Sequence, residues 1–285
     1  MNQVFAGIEA GGTKWVCMIA SHPGDIRATT RIPSGLPEGT IGSAIEFIRN
    51  QVPDPGDLGG IGIGSFGPLD LKKGSNTFGC ITTTPKPGWA HTNLINPFKM
   101  EFNLPIGFDT DVNAAALGER LWGAGSQLSD FIYMTVGTGI GGAAVANHEL
   151  IHGMIHPEMG HMLIPHDWER DPFPGVCPYH GDCLEGLATG PAIQARWKQP
   201  AEDLPPEHPA WQLEAHYLGL GISNLITALS PQRVILGGGV MDQSQLFPMI
   251  RNEVRELLGN YISTSEIMEP NEEYIVPPVL GPQAG

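Results

Sequence analysis

The fold of this chain is decided by residues 4–20, VFAGIEAGGTKWVCMIA. A short apolar run is followed by a tight glycine turn and then by a second apolar run, which predicts a two-stranded hairpin. The same pattern returns in residues 131–146, FIYMTVGTGIGGAAVA. Two strand–glycine turn–strand units in one chain indicate two related halves.

Helical and extended patterns alternate through the rest of the chain. Residues 38–52 carry apolar side chains at helical spacing, whereas residues 60–64 and 234–236 are typical of buried strands. Such alternation is characteristic of the α/β class. We therefore predict two α/β domains, residues 1–114 and residues 115–285.

The composition excludes several classes of protein. The 285 residues include 15 Lys and Arg against 30 Asp and Glu, a formal charge of −15 that disfavours nucleic acid and membrane surfaces as partners. No apolar run approaches the roughly 18 residues of a membrane span. The N-terminus lacks the basic and apolar regions of a signal peptide. Four cysteines do not make a disulfide framework, so a cytoplasmic protein is predicted.

A group of soft metal ligands lies in the second half. Residues 177–185, CPYHGDCLE, place Cys177, His180 and Cys183 three residues apart, and His161 lies sixteen residues upstream of Cys177. Two thiolates and two imidazoles suit a tetrahedral zinc ion, and four protein ligands leave no open position, so a structural site is predicted. The alternative is that the cysteines are ordinary buried thiols and the histidines are loop residues.

The two glycine turns are candidate anion sites. Residues 9–14, EAGGTK, fit neither the P-loop spacing nor GxGxxG, but backbone amides in such a turn can face an anion, and Thr13 and Lys14 can add a hydroxyl and a cation. Residues 137–142, GTGIGG, are equally ambiguous alone. Two such turns at matching positions favour a phosphate held from both sides.

Asp111 is the leading candidate for a general base. It opens a predicted helix over residues 111–119, where a carboxylate is often only a cap at or near the N-terminus. The two roles are compatible, since amides at a helix start keep a carboxylate ionised and an ionised Asp can accept a hydroxyl proton.

These motifs occur together in the order found in one family. From about residue 4 to residue 285 the chain resembles the ROK family of bacterial sugar kinases and repressors, with the two-domain α/β fold of the actin-like, hexokinase-like (ribonuclease H-like) superfamily. The first match is to the family's DxGGTK loop, followed by its catalytic DxN, its second phosphate loop, its ExGH motif and its zinc signature. The matching segments are residues 9–14, 111–113, 137–142, 158–161 and 177–185.

The resemblance implies ATP-dependent phosphorylation of a hexose on its C6 hydroxyl, in a cleft between two domains. It assigns Asp111 as the base, and Asn113, Glu158 and His161 as sugar ligands, with His161 also bound to zinc. ATP and Mg²⁺ are expected beside the glycine loops and their neighbours. This group is Gly11, Gly12, Thr13, Lys14, Gly137, Thr138, Gly139, Gly190, Gly237, Gly238 and Gly239. Family members are commonly homodimers, and we expect the same here.

Within the family the details resemble the bacterial fructokinase branch. His180 stands where many glucokinases of the family have cysteine, and residues 84–89 and 156–161 also resemble that branch, although Trp89 and His156 could serve packing alone. The expected product is fructose 6-phosphate. The alternatives are a broad-specificity glucokinase or mannokinase, an N-acetylmannosamine kinase, and a ROK repressor. The repressor is disfavoured because a helix-turn-helix has no room before Glu9.

Three departures from the family pattern stand out. Glu9 replaces the usual Asp of the first loop, which could alter a contact with Mg²⁺. Thr110 stands where Asn is common, a change interpreted as neutral. The chain stops at Gly285, where the family continues into a final helix, so we expect the natural chain to be longer.

Overall fold

The structure is a computed structural model that describes residues 3–268 and 273–281. It divides into two compact units. One holds the chain up to Ala115 together with His152–His156, and the other holds Ala116–Ile151 and the chain from Pro157 onward. Of the C-terminal residues behind the expectation of a longer chain, 282–285 lie outside the described part.

The first unit is built on a five-stranded sheet with the order β3-β2-β1-β4-β5. Its strands are β1 Val4–Ala10, β2 Lys14–Ala20, β3 Ile26–Pro33, β4 Leu58–Ser65 and β5 Ile106–Thr110. Strand β1 pairs antiparallel with β2 and parallel with β4, which pairs parallel with β5. The carboxyl ends of β1, β4 and β5 therefore meet at one edge of the sheet.

Side-chain alternation places the core of this unit. Along β1, Val4, Ala6, Ile8 and Ala10 are buried and their neighbours are more exposed, as a half-buried strand requires. Helix α1, Pro37–Gln51, covers the sheet, and helix α2, Asn96–Phe102, follows the long connection after β4. Helix α3, Asp111–Trp122, begins in this unit directly after β5.

Trp89 belongs to the core of the first unit. It is 0% exposed, its indole nitrogen donates to the Gly35 carbonyl oxygen at 2.9 Å, and its ring lies 5.7 Å from that of Trp15. These contacts agree with the packing alternative for Trp89.

The second unit is built on another five-stranded sheet, with the order β10-β9-β6-β7-β8. Its strands are β6 Phe131–Val136, β7 Ile140–Ala146, β8 Glu149–Leu150, β9 Val234–Gly237 and β10 Ile275–Val276. Its helices are α4 Leu184–Leu187, α5 Gly190–Trp197, α6 Ala210–Leu229, α7 Leu246–Leu258 and α8 Ser265–Met268. Because β6 and β9 are parallel neighbours, the glycine turns after them leave the same edge of the sheet.

The structure confirms the α/β class and both glycine-turn hairpins, β1–β2 and β6–β7. Strand β3 and helix α2 were not predicted. Strand β3 alternates half-buried and exposed residues, because it lies at the end of the sheet order, and so it carries no strong apolar run. None of the helices in the described part of the chain is both long and apolar enough to cross a membrane.

Candidate active site

The predicted base lies at the junction of β5 and α3. Asp111 is the first residue of α3, and the cap is its neighbour: Thr110 Oγ1 accepts a hydrogen bond from the Asn113 backbone N–H at 3.1 Å. The Thr110 hydroxyl therefore satisfies a backbone donor at the start of this helix, a role that Asn at this position can also fill. Asp111 Oδ1 accepts from the Val112 N–H at 2.8 Å, which fixes the orientation of the carboxylate.

Burial dominates the electrostatics of Asp111. Burial raises the pKa of Asp111 above the ordinary carboxyl value, and hydrogen bonds from the backbone N–H groups of Val112 and of Asp111 itself only partly oppose the shift. The helix start thus orients this carboxylate and offsets only part of the effect of burial on its pKa. A carboxylate with a raised pKa is a stronger base than a solvated one.

The first glycine turn lies at the same edge of the sheet as Asp111. The Gly11 N–H donates to the Lys14 carbonyl oxygen at 3.1 Å, which closes the turn. The Ser34 hydroxyl donates to the Gly11 carbonyl oxygen at 2.7 Å, and the Ser34 N–H donates to the Thr13 carbonyl oxygen at 3.0 Å. At Gly12 there is open space on the side where a Cβ would point. The turn is therefore fastened from behind and open at its tip.

Glu9 connects this turn to the predicted base. Burial raises the pKa of Glu9, the nearby Asp111 carboxylate raises it further, and Lys14 lowers it. Two carboxylates and one ammonium group thus lie within electrostatic reach of one another. Such a pair of carboxylates is a suitable place for a divalent cation.

Two side chains that were not predicted contact Asn113. Asp109 Oδ1 accepts from Asn113 Nδ2 at 2.6 Å, and Asp109 Oδ2 lies 2.9 Å from His152 Nε2. In the same segment as His152, the buried His156 Nε2 accepts from the Leu69 N–H at 3.0 Å. The segment His152–His156 belongs to the first unit although it is distant in sequence from the rest of it.

The second glycine turn is joined to the starts of other elements of the second unit. The Gly137 N–H donates to the Gly139 carbonyl oxygen at 2.9 Å, and the Gly190 N–H at the start of α5 donates to the Gly137 carbonyl oxygen at 2.9 Å. A Cβ at Gly137 would lie 3.8 Å from the Gly239 nitrogen. Three of the predicted nucleotide segments therefore meet at one place.

Gly238 and Thr138 lie in the turns that follow β9 and β6. Gly238 has a φ of +92°, and a Cβ there would lie 2.3 Å from the Val136 carbonyl oxygen, so only glycine fits. Thr138, at the tip of the turn between β6 and β7, is exposed. Its hydroxyl is thus accessible to a ligand.

The predicted sugar ligands of the second unit, Glu158 and His161, lie at the two ends of a short 3₁₀ helix. Met159–His161 forms one turn, closed by the His161 N–H donating to the Glu158 carbonyl oxygen at 3.0 Å. Gly160 packs so closely on β7 that a Cβ would overlap the Ile140 carbonyl oxygen. Glu185, which was not predicted, accepts from the Ile140 N–H at 3.0 Å and lies 4.0 Å from His161 Nε2. The ExGH segment is therefore held against the sheet.

The four predicted zinc ligands come together. One ligand atom each from His161, Cys177, His180 and Cys183 lies within 4.8 Å of the others. Cys177 Sγ is 3.7 Å from Nδ1 of both histidines, and Cys183 Sγ is 3.7 Å from His161 Nδ1. Tetrahedral zinc with ordinary bond lengths requires sulfur–nitrogen separations of about 3.6 Å. The donor set and its spacing fit a structural zinc ion.

His161 presents different nitrogen atoms to two neighbours. Its Nδ1 faces the two thiols, while its Nε2 faces Glu185. A metal bound at Nδ1 would leave Nε2 with its proton to donate. The predicted double role of His161 is therefore compatible with the geometry.

A model of the ROK family matches residues 5–284. The chain belongs to the ROK family. ROK relatives include the "Putative fructokinase" of Bacillus subtilis (strain 168), 45% identical over 99% of this chain and 92% of that protein. The "Fructokinase" of Zymomonas mobilis is 40% identical over 100% of this chain and 94% of that protein.

A solved ROK structure has the same fold. The ROK family glucokinase from Streptomyces griseus, in complex with glucose and AMPPNP, aligns with a TM-score of 0.71 at 23% identity, covering 99% of this chain and 96% of that one. The predicted actin-like, hexokinase-like α/β fold is confirmed, and so is membership of the ROK family.

Proposed function

We propose that this protein is an ATP-dependent fructokinase, which transfers the terminal phosphoryl group of ATP to the C6 hydroxyl of fructose and releases fructose 6-phosphate. The observation that carries the proposal is its near full-length similarity to proteins named as fructokinases. The Asp111 carboxylate at the start of α3, with its raised pKa, supplies the group that such a reaction needs.

Asp111 accepts the proton of the attacking hydroxyl in this mechanism. Its Oδ1 is fixed by the Val112 N–H, so the carboxylate does not have to be ordered when the sugar binds. Phosphoryl transfer depends mainly on positioning and on neutralising the charge of the transferred group. A base that is oriented in advance contributes the first of these.

The glycine turns and their neighbours hold the nucleotide. Lys14, Thr13 and Gly12 at the open tip of the first turn serve one phosphate region, while the exposed Thr138 hydroxyl and the backbone of Gly139 and Gly237–Gly239 surround the rest of the nucleotide. The N–H groups of Gly11, Gly137 and Gly190 shape the two turns, because each is already bonded to a backbone carbonyl oxygen. When bound, Mg²⁺ offsets the negative charge of the phosphates, and Glu9 is the carboxylate nearest to the turn that could hold it. Asn113, Glu158 and His161 hold sugar hydroxyls.

His161, Cys177, His180 and Cys183 hold a structural zinc ion. The metal, when bound, takes no part in proton or phosphoryl transfer, because four protein ligands fill a tetrahedral site. Its ligands fix His161, and the hydrogen bond from His161 to the Glu158 carbonyl oxygen then fixes the segment that carries Glu158. We also assign the protein to the cytoplasm, which agrees with four unpaired cysteines, and infer a homodimer.

Initial rates of ADP release with fructose, glucose, mannose and N-acetylmannosamine test the proposed function. We expect kcat/KM for fructose to exceed that for each of the others by about 10-fold or more, with the phosphate on C6 by ³¹P and ¹³C NMR. A tenfold preference for glucose would replace fructokinase by glucokinase. ADP release that no hexose stimulates would overturn the kinase assignment.

A further inference from the structure

Three side chains beside α3 form a hydrogen-bonded cluster. Asp109 is the penultimate residue of β5, Asn113 lies in the first turn of α3, and His152 enters the unit from a distant part of the chain. Asp109 Oδ1 lies 2.6 Å from Asn113 Nδ2, and Asp109 Oδ2 lies 2.9 Å from His152 Nε2. Asn113 is 1% exposed, so its amide has little freedom to choose other partners.

The chemistry of the partners fixes the orientation of each group. An ionised carboxylate only accepts hydrogen bonds, so the NH₂ group of Asn113 must face Asp109 and its amide oxygen must point the other way. For the same reason His152 must carry its proton on Nε2 to donate to Asp109. The Thr110 N–H also donates to Asp109 Oδ1, at 2.8 Å, so three donors hold this carboxylate in place.

The Asn113 amide oxygen is thereby left for a ligand. Within the described residues, Asn113 Nδ2 donates to Asp109, and His152 Nε2, 3.3 Å from Nδ2, does not accept from it because its own proton goes to Asp109. A sugar hydroxyl that meets this side chain must therefore act as the donor. If the amide could rotate by half a turn, Asn113 would present either its oxygen or its NH₂ group to the sugar. It would then discriminate poorly among hydroxyl geometries.

We propose that Asp109 and His152 are positioning residues that lock the Asn113 amide, so that its oxygen and not its NH₂ group binds a sugar hydroxyl and contributes to the choice of hexose. The inference rests on the proposed function, since it takes Asn113 as a sugar ligand. His152 acts on Asp109, and Asp109 acts on Asn113. Neither has to touch the substrate.

Asp109→Asn is the first test. The new amide could face Asn113 with either its oxygen or its NH₂ group, so the lock is lost while the size is kept. We expect the KM for fructose to rise about 10-fold or more, with kcat within about threefold and the KM for ATP unchanged. The preference for fructose over glucose should shrink in parallel.

His152 offers a matched pair of variants. His152→Gln keeps an N–H that can donate to Asp109, whereas His152→Ala removes it. We expect the alanine variant to raise the KM for fructose and the glutamine variant to restore most of the loss. Equal behaviour of the two variants would contradict a positioning role for His152.

A swap of the two partners gives the sharpest result. Asn113→Asp alone would place two carboxylates against each other and should abolish measurable fructose binding in calorimetry. In the double variant Asp109→Asn with Asn113→Asp, the new amide at 109 can donate to the new carboxylate, whose second oxygen accepts from the sugar. We expect the double variant to bind fructose at least 10-fold more tightly than Asn113→Asp. No recovery, with both proteins folded by circular dichroism, would overturn the proposal.

The wild-type protein is assayed first, so that a failure of the fructokinase assignment can be distinguished from a failure of the positioning role of Asp109 and His152. If it prefers another hexose, the fructokinase assignment fails and the same variants are measured with that hexose. If no hexose is phosphorylated or bound, both fail. If fructose is the substrate and the Asp109 and His152 variants keep the wild-type KM and selectivity, only the positioning inference fails.

Discussion

At the start of α3, the helix cap and the proposed base are two neighbouring residues. Thr110 takes over the capping hydrogen bond, which leaves the Asp111 carboxylate to be oriented by the Val112 N–H and desolvated by its surroundings. Desolvation favours the protonated form, and this raises the basicity of the group. The energetic cost of burying a carboxylate is therefore tied directly to its proposed use as a base.

Asp111→Asn should separate catalysis from stability. We expect kcat to fall by about 10²–10⁴-fold, because the amide cannot accept the proton, while the hexose KM stays near the wild-type value. The raised pKa means that ionised Asp111 costs folding free energy, and this cost grows as the pH rises through the pKa of the folded state. The variant should therefore unfold at the same or a higher temperature at pH 7. Full activity in this variant would eliminate Asp111 as the base.

The wild-type pH profile follows from the same shift. Only ionised Asp111 is a base, so kcat/KM should fall as the pH decreases through a midpoint above about 3.9, the ordinary Asp value. Rates measured from pH 8 down to below the ordinary Asp value locate that midpoint, and the residual activity of Asp111→Asn should lack it. A midpoint at or below the ordinary Asp value would contradict the role of the raised pKa.

At the scale of elements, α6 buries a carboxyl group. Glu214 is 1% exposed, and its Oε1 has no hydrogen-bond partner in the described part of the chain. Burial raises the pKa of Glu214 to about 8, although the positive charge of Arg196 lowers it in part. The folded protein therefore keeps this proton at neutral pH, where the unfolded chain loses it.

Glu214→Gln should change how stability depends on pH. Between about 4.3, the ordinary Glu pKa, and the folded pKa, only the folded state binds the proton, so Glu214 makes stability fall by about 1.4 kcal/mol per pH unit as the pH rises. The variant loses this slope. The free energy of unfolding of the variant, measured in urea, should exceed that of the wild type by several times RT at pH 8. Near pH 4.5 the two values should be close. Glu207→Gln, at an exposed position, is the matched control and should run parallel to the wild type.

The elements that were predicted from sequence are those whose signals are local. A glycine turn between two apolar runs predicts a hairpin because both strands are adjacent in the chain, and Cys177, His180 and Cys183 lie within one loop. Asp109 and His152 were missed because they are 43 residues apart and meet only through the fold. Glu185 was missed for a related reason: its partner, the Ile140 N–H, lies 45 residues earlier.

At the scale of the whole molecule, the Cys/His loop is braced by a buried network. His166 Nδ1 lies 2.9 Å from Asp182 Oδ2, next to Cys183, and His166 Nε2 lies 2.8 Å from the Asp171 carbonyl oxygen. The Asp171 carboxylate accepts two hydrogen bonds from Arg196 on α5 and one from the Tyr217 hydroxyl on α6 at 2.6 Å. The loop is thus joined to two helices by contacts that do not depend on a metal.

This network determines how much of the second unit should depend on the proposed zinc ion. Because the loop is attached to α5 and α6, a protein without the proposed zinc ion should remain folded in the second unit. His161 and the segment carrying Glu158 would lose the ion that is proposed to fix them. We therefore expect a local defect with a clear effect on sugar binding. Global unfolding is not expected.

Cys183→Ser should reveal this local defect. We expect less than one zinc per chain by elemental analysis, a Tm lowered by at least about 5 °C, and a KM for the hexose raised about 10-fold with the KM for ATP unchanged. Cys80→Ser is the matched control, because Cys80 is a buried cysteine of the first unit, outside the cluster, and this variant should keep the metal and the wild-type KM. Where zinc is instead removed from the wild-type protein with a chelator, the assays need excess Mg²⁺, because the chelator also binds the Mg²⁺ that the reaction requires. If Cys183→Ser lost zinc yet kept its Tm and hexose KM, the metal would have no part in holding Glu158 and His161.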